Sequence, residues 1–423
     1  MKPSRAAAPF ALPALCALAV CGLLAVPAAA QESNPYYIGL SQTLTHDTNL
    51  LRLTTRQAAP TGFSKSDTSS TTALIAGIDQ PFGRQRFYGN VSLRANRFDK
   101  NKVYDNDGYT LSTGLDFSTI ERVSGSIYAS ANRGLSRFNT EEIGLLTDKN
   151  VESVESLGAT VRVGVVTAYT VEVSANHRRV DNSLDDDRVR ARNFRQDTAS
   201  VGLRWRPSPD FSLGLAARGS QGTYPEFRRT QTGYQADKFD RQDVDLTVFY
   251  RPSGVSRLDL RLSEGKTKYD LATQRNFSGL TGNLTWRWQA TGKVALFTSY
   301  TRDTGQDSYA ISFFGVPGTS DYARTSDRLA LKAEWAASAK LAFEAGLAHV
   351  DRKLVRTIDN PFFPSDATGR EKVSTLTLGG RWAPVRWAQV GCNIESNRRS
   401  GSGTLGSDLK ADTYACYGQF TLQ

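Results

Sequence analysis

The residues with a spacing able to do chemistry are basic. Arg94, Arg162, Arg178, Arg204, Arg218, Arg257, Arg261, Arg287, Arg328, Lys332 and Arg381 all fall within or at the end of runs where every second residue is apolar, in the phase between the apolar ones. A guanidinium binds carboxylate or phosphate through two parallel hydrogen bonds. A row of them on one surface would attract an anionic chain through its summed field. The acids Asp116, Glu172, Asp243, Asp245, Asp259, Glu334 and Glu344 occupy the same phase in smaller number. The basic row therefore either meets an anionic polymer or pairs with these acids across neighbouring strands, and both readings stay open. The residues expected to touch such a polymer are Arg94, Arg162, Arg204, Arg218, Arg257, Arg261, Arg287, Arg328, Lys332 and Arg381.

Other chemistry has less to work with. The histidines are His46, His177 and His349. His46 and Asp47 form one candidate acid/base pair, but a lone histidine in a polar stretch is more often only a polar residue. Asp181 with the run Asp185-Asp186-Asp187 offers oxygen ligands, yet lacks the Gly and Glu spacing of a calcium loop. No Gly-rich phosphate loop and no Cys/His metal cluster stands in the sequence. The chain is read as a non-enzyme with no metal and no cofactor. Cys392 and Cys416 lie equally far from residue 404, so a hairpin centred there sets them opposite each other. They are a candidate disulfide in an oxidising compartment, or else two small apolar thiols.

The elements that must position these side chains are strands. A period of two is the strand period, because successive side chains point to opposite sheet faces. The last stretch shows it plainly: Tyr414, Cys416, Gly418, Phe420 and Leu422 alternate with Ala415, Tyr417, Gln419 and Thr421. Segments 36–45, 87–95, 157–165, 199–205, 244–250, 280–288, 329–335 and 376–382 repeat the pattern. The whole chain holds about 18 such segments, an even number within the range of single-chain outer-membrane barrels. Connectors alternate between short turns and longer polar stretches such as 47–67, 139–155, 181–195, 222–240, 303–324 and 351–372. In outer-membrane barrels short turns face the periplasm and long loops face outside. Phe117, Tyr169, Trp205, Phe211, Tyr250, Trp286, Trp288, Trp335, Trp382, Trp387 and Phe420 all fall beside short turns, as an interfacial girdle would.

The predicted fold is all-β: a transmembrane, antiparallel, up-and-down β-barrel of about 18 strands (16–18) spanning residues 31–423. Residues 1–30 read as a secretory signal peptide, with Lys2 and Arg5, an apolar run and Ala28-Ala29-Ala30 before Gln31. The net charge is +10, and taking away Lys2 and Arg5 leaves +8. That excess favours anionic partners, and a secreted chain is not expected to meet nucleic acid. The expected location is the outer membrane of a Gram-negative bacterium. Expected partners are an anionic polysaccharide, outer-membrane lipid and lipopolysaccharide, the barrel-insertion machinery and periplasmic export components.

Near the start, Asp47-Thr48-Asn49-Leu50-Leu51-Arg52 resembles the D-x-N-L-x-R opening of barrels encoded with exopolysaccharide systems. The chain is similar in this motif and in overall architecture to the exosortase-associated EpsL-type exopolysaccharide barrels. The resemblance implies help in moving exopolysaccharide across the outer membrane through a basic lumen, with no catalytic residues. The alternatives are a general or anion-selective diffusion porin and a structural or adhesive barrel.

Overall fold

The protein is described here from a computed structural model, which covers residues 34–120, 122–136, 139–140, 144–164, 167–313, 316–359 and 365–423. The expected signal peptide at 1–30 lies outside the described residues. Alternating apolar and polar side chains give strands because each strand then offers one lipid-facing and one water-facing surface. The elements are β1 (Tyr36–Asp47), β2 (Asp67–Phe82), β3 (Gln85–Phe98), β4 (Asn106–Ser118), β5 (Val123–Leu135), β6 (Asn139–Thr140), β7 (Gly144–Leu145), β8 (Val151–Val163), β9 (Tyr169–Asn182) and a single helical turn, α1 (Asp187–Arg190). They continue with β10 (Phe194–Ser208), β11 (Phe211–Thr230), β12 (Gly233–Ser253), β13 (Ser256–Tyr269), β14 (Phe277–Thr291), β15 (Val294–Phe313), β16 (Val316–Ala336), β17 (Leu341–Asp359), β18 (Ser365–Val385), β19 (Ala388–Gly403) and β20 (Leu409–Leu422).

Eighteen of these strands form one antiparallel sheet, and β6 with β7 make a small separate hairpin. Each barrel strand pairs with its neighbours in the chain, and β20 pairs with β1 from Ile38↔Leu422 to Asp47↔Thr413. That pairing leaves no open edge, which removes the aggregation hazard of a bare terminal strand. Outward-facing residues form an apolar band: Leu40, Leu93, Val173, Val201, Leu215, Leu331, Leu347, Leu376 and Ile394 are all exposed. The aromatics beside the short turns complete a girdle. Trp286 and Trp288 stack with ring centroids 5.8 Å apart, as do Trp335 with Phe343 at 5.5 Å and Trp387 with Phe420 at 5.9 Å.

Three expected outer loops are corrected. Segment 222–240 is mostly strand, since β11 runs to Thr230 and β12 begins at Gly233. Segments 303–324 and 351–372 likewise belong largely to β15, β16, β17 and β18. The apolar period ends where lipid ends, but backbone pairing does not. The strands continue into water, where no lipid requires an apolar outer face, so the hydrophobic period vanishes while the ladder persists.

Candidate functional site: the basic lumen

The inner wall is the surface opposite the apolar band. On β10 the burial alternates along the whole strand, with Val201, Leu203 and Trp205 outward and Arg204 inward. The same parity puts Arg94, Arg162, Arg218, Arg257, Arg261, Arg287, Arg328, Lys332 and Arg381 on the inner face of their strands. All ten candidates thus share one surface, but their surroundings differ.

From β8 to β13 most inward arginines share carboxylates, and Arg178 on β9 lies over the Phe194 ring at 5.5 Å instead. Arg162 Nε lies 2.6 Å from Glu172 Oε2, and Arg204 Nη2 lies 3.5 Å from the same oxygen. Arg218 reaches Asp243 at 3.1 Å and Asp245 at 2.9 Å, Arg241 reaches Asp243 at 2.8 Å, and Arg261 reaches Asp245 at 3.1 Å. Ser263 also donates to Asp245 at 2.5 Å. Arg257 sits 2.7 Å from Asp259 and 5.0 Å from the inward Phe249 ring. Register creates these groups: Arg218↔Asp243 and Asp245↔Ser263 are directly opposed pairs. Further round, Lys332 is held between Glu334 at 2.9 Å and Glu344 at 3.0 Å. Arg94 donates to Thr110 at 2.8 Å and to Asn132 at 3.3 Å.

Arg287, Arg328 and Arg381 have no carboxylate within ion-pair distance among the described residues. Arg287 lies 5.3 Å from the inward ring of Phe297, a cation–π contact. These three sit on β14, β16 and β18, while Arg94 on β3 and Arg178 on β9 likewise lack a carboxylate partner among the described residues.

Inward tyrosines lie flat against the wall. Tyr37, Tyr88, Tyr128 and Tyr417 are each directly opposite a glycine on the next strand: Gly77, Gly114, Gly158 and Gly391. A Cβ at any of these glycines would collide with the ring. An aromatic covering a glycine restores packing that the missing side chain forfeits. Tyr88, Tyr128 and Tyr417 share the inward parity of the lumen arginines. Their packing on glycine gives them a wall-forming role and leaves only the opposite ring face towards the lumen.

The extracellular end holds contacts that the sequence does not show. Asp47 and Asn49 organise the turn after β1. Asp47 Oδ1 accepts from Asn49 N–H at 2.8 Å and from Arg52 Nη1 at 2.8 Å. Asn49 Nδ2 donates to the Leu53 carbonyl at 2.8 Å and to the Lys410 carbonyl at 3.0 Å. Thr48 N–H donates to the Asp412 carbonyl at 3.0 Å. The D-x-N-L-x-R segment is thus a clamp across the β1–β20 seam. It also buries Leu51 and Leu53 against Tyr104, with Phe63, Phe98, Leu135 and Leu145 around them. Burial pushes the Tyr104 hydroxyl up to about 12. Burial would also raise Asp67, but amide N–H groups of Asn101, Lys100 and Thr68 and the Asn101 side chain outweigh it and hold the carboxyl below its ordinary range.

On the inner face of the mouth, Phe194, Tyr224, Phe239 and Tyr269 form a ladder across β10 to β13, with Phe239 and Tyr269 centroids 5.3 Å apart. The buried Arg275 guanidinium covers Tyr224 at 4.7 Å and Tyr269 at 4.3 Å. Beside it burial raises the Asp237 carboxyl, although the Leu271 amide and Arg275 oppose the shift. The signal for this ladder was present: these aromatics share the parity of the inward arginines. The long strands that carry them were read as loops.

His46 and Asp47 do not pair. Adjacent strand residues face opposite ways: His46 contacts Thr68 outside, and Asp47 is bound as described. His177 bonds outward Asp197 at 2.7 Å, and His349 bonds Ser374 at 3.0 Å. The Asp185–Asp187 run is consumed by partners. Asp186 caps α1 and pairs with Arg188 at 2.6 Å, Asp185 pairs with Arg190 at 2.9 Å, and Asp187 accepts from Tyr234 at 2.8 Å. Cys392 and Cys416 are opposed on the outer face, and their sulfurs are bonded with Cα atoms 4.1 Å apart.

A closed barrel with an outward apolar band, an aromatic girdle and a polar, charged lumen is an outer-membrane β-barrel of the Gram-negative type. No known family model matches the chain, and no curated protein matches it. Among solved structures it is similar to OccK3 (OpdO) of Pseudomonas aeruginosa, at 13% identity over 92% of this chain and 95% of that one, with a TM-score of 0.43. It is similar to Pseudomonas aeruginosa OpdQ at 11% identity over 92% and 97%, TM-score 0.43. The FrpB iron transporter from Neisseria meningitidis aligns at 7% identity over 93% and 82%, TM-score 0.45. Likenesses this distant carry no argument about what the lumen does.

Proposed function

We propose that this barrel passes an anionic polysaccharide outward, and that it performs no reaction on it. The observation that carries the reading is the arginine row Arg287, Arg328 and Arg381, three inward guanidiniums on alternate strands that have no carboxylate partner among the described residues. Guanidinium groups free of internal partners can exchange successive carboxylates of a moving polymer. Arg287 over Phe297 and Arg257 beside Phe249 add aromatic surface suited to sugar faces. The resemblance of the Asp47–Arg52 segment to exopolysaccharide barrels agrees with this reading. The test is a deletion strain assayed for surface polysaccharide. Loss or periplasmic retention of the polymer is expected; normal surface polysaccharide ends the export reading.

A second reading, an anion-selective diffusion porin, is favoured by the packed outer loops. The 48–66 segment is fixed to the loops at 101 and 139 through Ser64 with Asn101 and Arg52 with Asn139. Such loops narrow a mouth for small solutes. Planar-bilayer recordings separate the two: steady anion current without block by acidic oligosaccharides belongs to the porin.

A further inference from the structure

The outer surface of β17 to β20 carries a basic patch that the lumen reading does not use. Trp382 marks the periplasmic girdle on β18. Lys372 lies ten positions along the same strand. A barrel strand needs about 9–11 residues to cross the hydrocarbon layer, so Lys372 emerges at the outer headgroup level. Exposed Leu378 and Leu376 fill the band between them. At and above this height the outward positions are Asp351 and Lys353 on β17, Lys372 and Arg370 on β18, Arg398 on β19, and Asp412 and Lys410 on β20.

The register makes this arrangement unfavourable by itself. Lys353 is directly opposite Arg370, and Arg398 is directly opposite Lys410. Like charges directly opposed on one sheet face destabilise the pair. Only two acids share the patch. Asp351 accepts from Arg370 Nε at 2.8 Å, and Asp412 lies 2.8 Å from Arg398 Nη1. Lys353, Lys372 and Lys410 have no carboxylate within ion-pair distance among the described residues. Elsewhere round the rim a like-charge pair, Arg179 directly opposite Arg195, is relieved by acids on the same face. Glu155 is directly opposite Arg179, Asp240 is directly opposite Lys268, and Arg97 pairs with Asp107 at 2.9 Å.

We infer that this face binds the phosphates of an outer-leaflet glycolipid headgroup. Three ammonium groups outside ion-pair distance of an acid, Lys372 among them although it is directly opposite Asp351, and two guanidiniums, each holding one acid, complement at headgroup height two phosphate monoesters on a disaccharide. Bound phosphate offsets the repulsion within both like-charge pairs. The acyl chains of the same lipid lie along the apolar band beneath.

The test uses the whole barrel purified in mild detergent, with retained glycolipid counted per barrel by native mass spectrometry. The variant K353Q/K372Q/K410Q is expected to lose retention by at least about tenfold, given roughly 1 kcal/mol per basic residue at an anionic surface. The control K238Q/K266Q/K268Q removes three rim lysines interleaved with acids and is expected to retain lipid as the parent does. Equal retention by both variants overturns the inference. A second measurement needs no variant: bisphosphorylated lipid A is titrated against its dephosphorylated form. Equal affinity overturns the phosphate assignment. Displacement by inorganic pyrophosphate at equimolar concentration overturns the assignment to a lipid and leaves a soluble phosphate ligand.

Discussion

The two walls of the lumen both carry arginines and behave differently. From β8 to β13, Arg162, Arg204, Arg218, Arg241, Arg257 and Arg261 each meet a carboxylate on their own or the adjacent strand. On β14, β16 and β18, Arg287, Arg328 and Arg381 meet none. The residue type alone therefore does not define the site; the acids opposite it do. A paired arginine holds strands together, and an unpaired one is free to meet a ligand.

The largest expected effect comes from breaking the paired wall. Asp245→Ala strands Arg261 and leaves Arg218 with Asp243 alone, in a wall where Asp245 is almost fully buried. Removing one partner of a buried pair costs about 3 kcal/mol or more. A matching fall in the thermal transition, read by heat-modified gel mobility, is expected; an unchanged transition would show that water screens these pairs.

Neutralising the other wall should do the reverse. Arg287→Gln, Arg328→Gln and Arg381→Gln together are expected to leave the thermal transition in place. They should weaken block of single-channel current by acidic oligosaccharides roughly tenfold, or about 1.4 kcal/mol. If block persists while the transition falls, the two walls have been assigned the wrong way round. A smaller effect belongs to Glu172→Gln. Its carboxylate serves Arg162 and Arg204 in a more open position, so about 1 kcal/mol is expected, seen as a minor shift in the same gel assay.

How much of this was legible in the sequence follows from the physics of each feature. The strand count and the inward parity of Arg204 or Arg381 were readable, because a period of two is local and lipid enforces it. Which arginines are paired was not readable. Arg218 meets Asp243 and Asp245 only through the register of β11 with β12. The clamp at Asp47 and Asn49 stood out as a motif, but its acceptor at Lys410 lies at the far end of the chain. The aromatic ladder at Tyr224, Phe239 and Tyr269 was hidden because lipid no longer dictates an apolar outer face at that height.

The same contrast between satisfied and strained carboxylates continues above the membrane, where pH sharpens it. Asp67 is depressed by amide donors that outweigh its burial, so its contribution is present above its unfolded value near about 3.9 and is lost as pH falls through the lower folded value. Asp237 is raised by burial, so its contribution is present below the unfolded value and is lost as pH rises through the higher folded value. Acidification should therefore loosen the segment from 48 to 66 while it tightens the mouth around Tyr269 and Arg275. Hydrogen exchange with peptide resolution, run between about pH 6 and pH 3 and corrected for intrinsic rates, reads both regions in one experiment. Asp67→Asn should abolish the first trend and leave the second. Parallel loosening of the two regions in the parent protein would mean that the whole outer rim titrates as one unit.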